Sequence, residues 1–543
     1  MQVSGRRLRS MFYAGLMAGL AALAFNFILR LESLAAFPPE SALAWYISIV
    51  PASIEEPMVQ RFGGLAGQLG LLIATVIAAA VYGALVVLFD RFAIPRLRST
   101  RLSLFEVMLC LSLVPWLFFG VVLFPLVGAS VFGVSAASAA GSSPLTFLLT
   151  SLLVQLFFAL LLSSRFKSVE DVHALGRPGQ PHAFRESRRD FIEKSAVGLL
   201  AAAAAILGLS NLGSFVAGQI QAPGGSPPID LQGAPAIFSD PRLRQLVDSE
   251  VTPNASFYRV AIDVIDPVVD ASSWSLGVDG LVGTPKKYGL DEVKALPSST
   301  RFATLECVSN QIDGDLISNA KWKGVKLSDL LSDLGGVQEG GSYVVFYSAD
   351  GYSVGIPLAK ATEPSSIVAY EMNDQPLPIE HGYPLRGLIP GLYGMMSAKW
   401  VNRISVLDSV YQGYWQTRGW TNDARVNTVA FVVTPESGSQ VSTSKNGGGI
   451  ILAGYAYAGD RGISKVEVSF DGGKTWLPAQ LKQPISNLTW ALWAYEWAPQ
   501  NYGETFVLVR ATDGNGQVQT STVSDTFPNG ATGYAFVTVN VVR

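Results

Sequence analysis

Histidine is scarce in this chain and cysteine is scarcer. His173, His182 and His381 are the only histidines in 543 residues, and Cys110 and Cys307 are the only cysteines. The polar half holds just Cys307 and His381 of these, too few for a structural zinc site of the usual four Cys/His ligands. Two cysteines in such different settings cannot make a disulfide scaffold either. Long basic runs are also missing from the polar half, and the formal net charge is only -3. That balance gives no electrostatic footprint for a nucleic-acid partner.

Charge is lacking altogether over long stretches of residues 1–218. Four apolar segments, 11–29, 65–89, 104–126 and 144–163, are each about the 20 residues that a membrane-spanning helix needs. A fifth, Ser195–Gly218, follows later. Between the first two, "FPPESALAWYISIVPASIEEP" carries prolines and acids and reads as an interfacial or outward-facing loop. None of the three histidines lies inside a segment, which excludes bis-histidine haem ligation there. Polar residues within them are few: Asn26, Gln68, Gln155 and Asn211, with Glu106 near an end. Transporters need ionisable groups along their path, so the expected role is an anchor or a docking site. Gly15 and Gly19 have the spacing of close helix packing.

Basic residues orient the set. Arg6, Arg7 and Arg9 precede the first segment, and Arg91, Arg96, Arg98 and Arg101 follow the second. Arg165, Lys167, Arg177, Arg185, Arg188, Arg189 and Lys194 lie between the fourth and fifth. The opposite loops hold Arg30 and Arg61, with no charge in 127–143. The positive-inside rule then places the N-terminus in the cytoplasm and everything after the fifth segment outside it. "SRRDFIEK" (Ser187–Lys194), directly before the fifth segment, is similar to a twin-arginine export signal, although it is internal; a basic flank that only sets topology is the alternative. The expectation is a multi-pass protein of the cell membrane with an extracytoplasmic polar half.

That half opens with a Gly/Pro-rich linker over 219–250. From 251 to 420, strand-like runs ("FYRVAIDVI", "SWSLGVDGLV", "SYVVFYSADGYSVGIPL") alternate with helical pieces ("LDEVKAL", "KLSDLLSDL"), an α+β pattern. From 421 to 543 short strands recur, one running into the turn Asp471-Gly472-Gly473, as in an all-β immunoglobulin-like sandwich. Within the α+β region, Cys307 in "TLECVSNQ" has three readings: a buried core group, a nucleophile, or a metal ligand. Residue types alone leave them open, since the nearest histidine in sequence, His381, is 74 residues on.

The ordered motifs "FATLECVSN", "KWKGVKLSDLL", "YVVFYSADGYSVGIPL", "AYEMNDQPLPIEHGYPLRGLIPGLYGMMSAKWVNRISV", "RGISKVEVSFDGGKTW" and "VRATDGNGQVQ" resemble the sulfite oxidase family of molybdopterin enzymes. The resemblance implies a molybdenum-molybdopterin cofactor, one per chain, with the Cys307 thiolate on the metal. A soft thiolate suits such a metal, and coordination deprotonates it. It further implies Arg386, Lys399, Ser397 and Ala398 as clamps on the pterin and its phosphate. His381, Ser348, Asn254, Tyr258 and Arg259 would stand at pterin-contacting positions, and Tyr352 near the molybdenum as a hydrogen-bond donor. The C-terminal region would be a dimerisation domain. The reaction implied is oxygen-atom transfer to or from a small sulfur- or nitrogen-oxo substrate, including reduction of sulfoxides. Sulfite dehydrogenation proper is an alternative, and a non-catalytic membrane-anchored binding protein is the alternative of another class. Sulfite-oxidising members carry arginine in a Cys-x-Gly-Asn-Arg run, where this chain reads Cys307-Val308-Ser309-Asn310-Gln311. A second family arginine is also missing before Asn254, which weakens the sulfite assignment. With no Cys-x-x-Cys-His run and no cytochrome b5-like segment, haem is not expected in the chain, so electrons would pass through a separate haem or quinone-linked partner.

Overall fold

The computed structural model describes residues 5–31, 37–49, 65–92, 104–126, 144–163, 231–262, 266–442 and 449–542. The twin-arginine-like stretch and the fifth apolar segment lie outside the described residues. The chain divides into two units, one of residues 1–216 and 261–268, the other of residues 217–260 and 269–543.

The first unit is helical: α1 (Gly5–Leu31), α2 (Pro38–Ile49), α3 (Leu65–Phe92), α4 (Leu104–Leu117) and α5 (Pro144–Ser163). Three stretches, Met11–Arg30, Gln68–Phe89 and Leu145–Leu162, are long and apolar enough to cross a bilayer. In α4, Pro115 withdraws one N–H from the helical ladder, and the chain widens into a π-helical segment, Phe118–Leu123. Gly15 and Gly19 do pack closely: a Cβ on Gly19 would lie 2.6 Å from Cβ of Tyr82, and one on Gly15 would lie 2.8 Å from Val86 Cγ2. The segment read as a loop between the first two spans contains α2. Its two prolines occupy the first turn, where a missing N–H breaks no hydrogen bond, and Glu40 in that turn meets Arg30 at 2.7 Å.

The second unit begins earlier than a flexible linker would allow. Residues 236–248 form short helical turns whose Phe238, Leu243, Leu246 and Val247 are buried. Glycine and proline upstream masked this apolar face in the composition. "FYRVAIDVI" forms no strand over 257–262. Two sheets then build the α+β part from β1 (Leu276–Gly280), β2 (Lys286–Tyr288), β3 (Ser298–Glu306), β4 (Ile317–Lys326), β5 (Tyr343–Ser348), β6 (Ser353–Pro357), β7 (Ile367–Met372), β8 (Gln375–Pro376), β9 (Arg386–Leu388) and β10 (Val401–Leu407). One sheet runs β2-β1-β10-β5-β6; the other runs β3-β4-β7-β8, with β9 paired to β7.

The C-terminal part is all β: β11 (Val429–Thr434), β12 (Gln440–Ser442), β13 (Ile450–Tyr457), β14 (Ile463–Ser469), β15 (Leu477–Pro478), β16 (Gln480–Leu481), β17 (Ala491–Trp497), β18 (Gly503–Asp513) and β19 (Ala535–Val542). Sheets β11-β13-β17-β16 and β12-β19-β18-β14-β15 share one core that includes Leu452, Val466, Trp493, Val509 and Val537. Alternate residues along each strand supply it, the expected period-2 pattern.

Candidate active site around Cys307

β3 pairs antiparallel with β4 as far as Glu306 opposite Ile317, and the chain turns immediately after, at Cys307. Cys307 N–H donates to Leu316 O (2.9 Å), and Asn310 N–H donates to Cys307 O (3.0 Å). The Asn310 side chain closes this turn. Its Nδ2 donates to Glu306 Oε1 (3.0 Å) and its Oδ1 accepts from Leu316 N–H (3.0 Å). Gly314 is needed here because a Cβ would stand 2.4 Å from Asn310 Oδ1. Cys307 is buried and in no disulfide. Among the described residues no three Cys, His, Asp or Glu side chains group as a metal cage. A metal here needs most of its ligands from elsewhere.

Three phenols lie near enough to feel the sulfur's charge, Tyr352 and Tyr393 buried and Tyr258 half-buried. Burial raises Tyr258, Tyr352 and Tyr393 well above the ordinary phenol range, and a negative charge on Cys307 would raise each further. Tyr352, on the β5–β6 hairpin, donates its hydroxyl to Met395 O at 2.5 Å. Gly394 leaves room for Tyr258, whose hydroxyl would lie 2.2 Å from a Cβ at that position. Glu306 is enclosed as well. Burial lifts its carboxyl to about 8, the Asn310 hydrogen bond opposes this, and Oε2 has no hydrogen-bond partner.

Cations lie on one side. Gly382, at φ 110, closes the short helical turn Ile379–His381; a Cβ there would meet Lys399 Cβ at 3.0 Å and Arg386 Cβ at 3.1 Å. The glycine therefore lets Arg386 and Lys399 converge. Arg386 is buried, with Nη1 donating to His381 O (3.1 Å), Nη2 to Ser397 O (3.4 Å) and Nε to nothing. Its guanidinium lies 5.2 Å from the Trp322 ring, and burial draws its pKa down to about 10. Lys399 donates to Glu380 O (3.0 Å) over the Trp400 ring. His381 shares a 2.9 Å hydrogen bond with Asn254 O; burial first, then the charges of Arg386, Lys399 and Arg259, hold it down to about 3, so the ring is neutral.

The remaining positions divide. Ser348 is buried with Oγ unpartnered. Ser397 is already spent: its N–H donates to Gly394 O (3.0 Å) and its Oγ accepts from Ile389 N–H (3.1 Å). Ala398 is buried beside it, its carbonyl taking the Gly387 N–H at 2.8 Å. The Asn254 side chain is held by the β7–β8 turn, through Asn373 Nδ2 (2.8 Å) and Gln375 Oε1 (3.3 Å). Arg259 is exposed and acts on His381 through its charge. Asn310 stands in the run already compared with Cys-x-Gly-Asn-Arg, whereas Glu306, which it holds, carries no signal in the sequence.

Arg386 is a buried cation with no carboxylate partner among the described residues. Leaving such a charge uncompensated is costly. An anion with several acceptor oxygens would meet the idle donors on Arg386 and Ser348, and a single thiol suffices for a metal that brings other sulfur ligands. The residues fit a phosphorylated, dithiolene-bearing metal cofactor.

Comparison with known proteins agrees. Residues 263–415 match the oxidoreductase molybdopterin binding domain, and residues 418–527 match the Mo-co oxidoreductase dimerisation domain. Sulfite oxidase of Arabidopsis thaliana is 31% identical over 358 residues, covering 56% of this chain and 91% of that protein. Mitochondrial sulfite oxidase of Rattus norvegicus is 31% identical over 330 residues, covering 53% of this chain. The match spans 60% of the rat protein, less than two thirds of its length. The uncharacterized oxidoreductase YuiH of Bacillus subtilis is 34% identical over 151 residues, covering 28% of this chain and 74% of that one.

Proposed function

Because the chain belongs to the sulfite oxidase family of molybdopterin-dependent oxidoreductases, we propose that it binds one molybdenum-molybdopterin cofactor at Cys307 and transfers an oxygen atom to or from a small sulfur- or nitrogen-oxo substrate. The observation that carries this reading is Arg386, buried without a counter-anion among the described residues and converging with Lys399. When bound, the cofactor supplies two-electron oxygen-atom chemistry. The chain supplies the rest. Cys307 presents its sulfur from a turn fixed by Asn310. Arg386 and Lys399 neutralise the cofactor's anionic end, Arg386 through a planar donor fork. His381, neutral, offers a ring nitrogen rather than another charge. Ser348 adds an idle hydroxyl. The phenols of Tyr258, Tyr352 and Tyr393 stay protonated, exclude water and offer hydroxyl protons, which favours Tyr352 as the group that orients substrate oxygen once its bond to Met395 O is exchanged.

In this reading the first unit anchors the enzyme in the cell membrane with its catalytic part outside the cytoplasm, and a separate haem or quinone-linked protein exchanges electrons with it. Residues 421–543 form an immunoglobulin-like sandwich through which two copies associate. Gln311, exposed where sulfite-oxidising relatives carry arginine, favours an uncharged oxo substrate such as a sulfoxide over sulfite. The test is metal analysis of the purified full chain followed by a substrate panel. About one molybdenum per chain, lost in Cys307→Ser, supports the cofactor; a metal-free, fully folded product would make this a binding protein. Turnover of sulfoxides with a viologen reductant and none of sulfite with an oxidant fixes the direction, and the reverse result assigns sulfite dehydrogenation.

A further inference from the structure

The turn that presents Cys307 reaches beyond the α+β part. Asn310 ties its inner side to Glu306 and Leu316. Its outer side meets the C-terminal strands, where Ile312 packs against their shared core. Gln311 O accepts the Gly314 N–H at 2.9 Å, which bends the chain back on itself. Asp313 in this bend has φ 63, a left-handed conformation that aspartate tolerates better than most residues.

The Asp313 carboxylate meets a need of the C-terminal strands. β11 ends its sheet, and β19 pairs with β12 only over residues 540–542, so each has a free edge. N–H groups on a free edge need acceptors. Along the β19 edge, Asn540 N–H donates to Ser439 O (2.9 Å) and Thr538 N–H to Ser437 Oγ (3.2 Å). Phe536 is next in this period-2 series, and its N–H donates to the Asp313 carboxylate. The Val432 N–H of β11 donates to the same carboxylate. One side chain from the cysteine turn therefore holds both C-terminal sheets. Between Asn310 on one side and Ile312 with Asp313 on the other stands Gln311, which stays exposed.

We propose that Ile312 and Asp313 are positioning residues, through which the C-terminal strands fix the Gln311 side chain and with it the choice of substrate. The inference rests on the reading of position 311 as the one that faces substrate, and it adds what holds that position. Misplacement of a contacting group by about 1 Å can cost about 100-fold in rate, so such a hold has consequences for turnover.

A nitroxide at position 311 tests it in the full chain with cofactor bound. Gln311→Cys in a Cys110→Ser background takes the label, and Cys110→Ser alone is the blank for Cys307. The label is expected to be restrained, to remain so with Asp315→Ala, a nearby exposed acid, and to become mobile with Asp313→Ala. An equally restrained label with Asp313→Ala would overturn the positioning role and leave the proposed function standing. Should Asp313→Ala not fold, Ile312→Ala decides by the same measurement. Kinetics with native Gln311 give the second readout. Asp313→Ala should raise KM about 10-fold for dimethyl sulfoxide, or for sulfite if the panel assigns dehydrogenation, with kcat within about twofold and molybdenum content unchanged. A freed label with unchanged KM would refute the link to substrate choice. A wild type inert toward both substrates would sink the proposed function, and the label would still decide whether the C-terminal strands hold position 311.

Discussion

The Asn310 side chain donates to Glu306 across the turn that presents Cys307, with 3.0 Å between Nδ2 and Oε1, and the same side chain accepts the Leu316 N–H at 3.0 Å. One amide thereby fixes both ends of the loop that carries the sulfur. Asn310→Leu removes both hydrogen bonds and strands two enclosed partners, which should cost about 2–4 kcal/mol. The sulfur should also lose its fixed aim. Alkylation of Cys307 in cofactor-free protein, followed by mass spectrometry, is expected to quicken, and molybdenum content to fall.

Arg386 gives a prediction with opposite signs in two measurements. Arg386→Met removes a buried cation with no carboxylate partner among the described residues and puts apolar atoms of similar reach beside Trp322. Replacing buried charge by apolar atoms of similar volume is often neutral or stabilising. Thermal melting of cofactor-free Arg386→Met should therefore be unchanged or higher than wild type, while cofactor retention is lost. A residue kept only for stability would instead lower the melting temperature.

Two buried groups of the site give the cofactor-free protein opposite pH dependences. His381 is held down to about 3 from 6.5, so below 6.5 the unfolded chain takes up a proton that the folded one refuses, and stability falls from there down to about 3. Glu306 is lifted to about 8 from 4.5, so above 4.5 the unfolded chain releases a proton that the folded one keeps, and stability falls from there up to about 8. Between 4.5 and 6.5 these two contributions oppose each other, while Asp313, raised by burial from 3.8 to about 6, adds a loss of its own as pH rises through that range. Denaturant titrations across pH should show the acid limb flattened in His381→Gln and the alkaline limb flattened in Glu306→Gln.

Much of this was legible before the fold. Cys307, Arg386 and Lys399 stand in ordered motifs, and the β5–β6 hairpin, β1 and the two short helices of the α+β part fall where periodicity places them. α2 was hidden by its own prolines, which sit where a helix tolerates them. The turns of 236–248 were hidden because glycine and proline just upstream dominate the composition. Asn254 has a pterin-contacting position by resemblance, yet its side chain is taken by Asn373 and Gln375, a long-range contact that no local pattern encodes. Glu306 and Asn310 matter through a four-residue turn whose meaning appears only when β3 and β4 bring Leu316 back to it.

Gly394 and Tyr258 are distant in sequence and fitted to each other in space. A Cβ on Gly394 would stand 2.2 Å from the Tyr258 hydroxyl oxygen but 3.5 Å from the ring carbon that bears it, and 3.4 Å from Glu306 O. The hydroxyl alone therefore forbids the methyl group. Gly394→Ala should displace the phenol from beside Cys307 and destabilise the protein by about 1–3 kcal/mol, the usual cost of overpacking. In Tyr258→Phe the obstructing oxygen is gone, so adding Gly394→Ala to it should cost far less. The interaction energy of the double-mutant cycle is expected to be about 1–2 kcal/mol in the direction of rescue, measured by denaturant unfolding. Additive effects would mean that the phenol does not occupy this place.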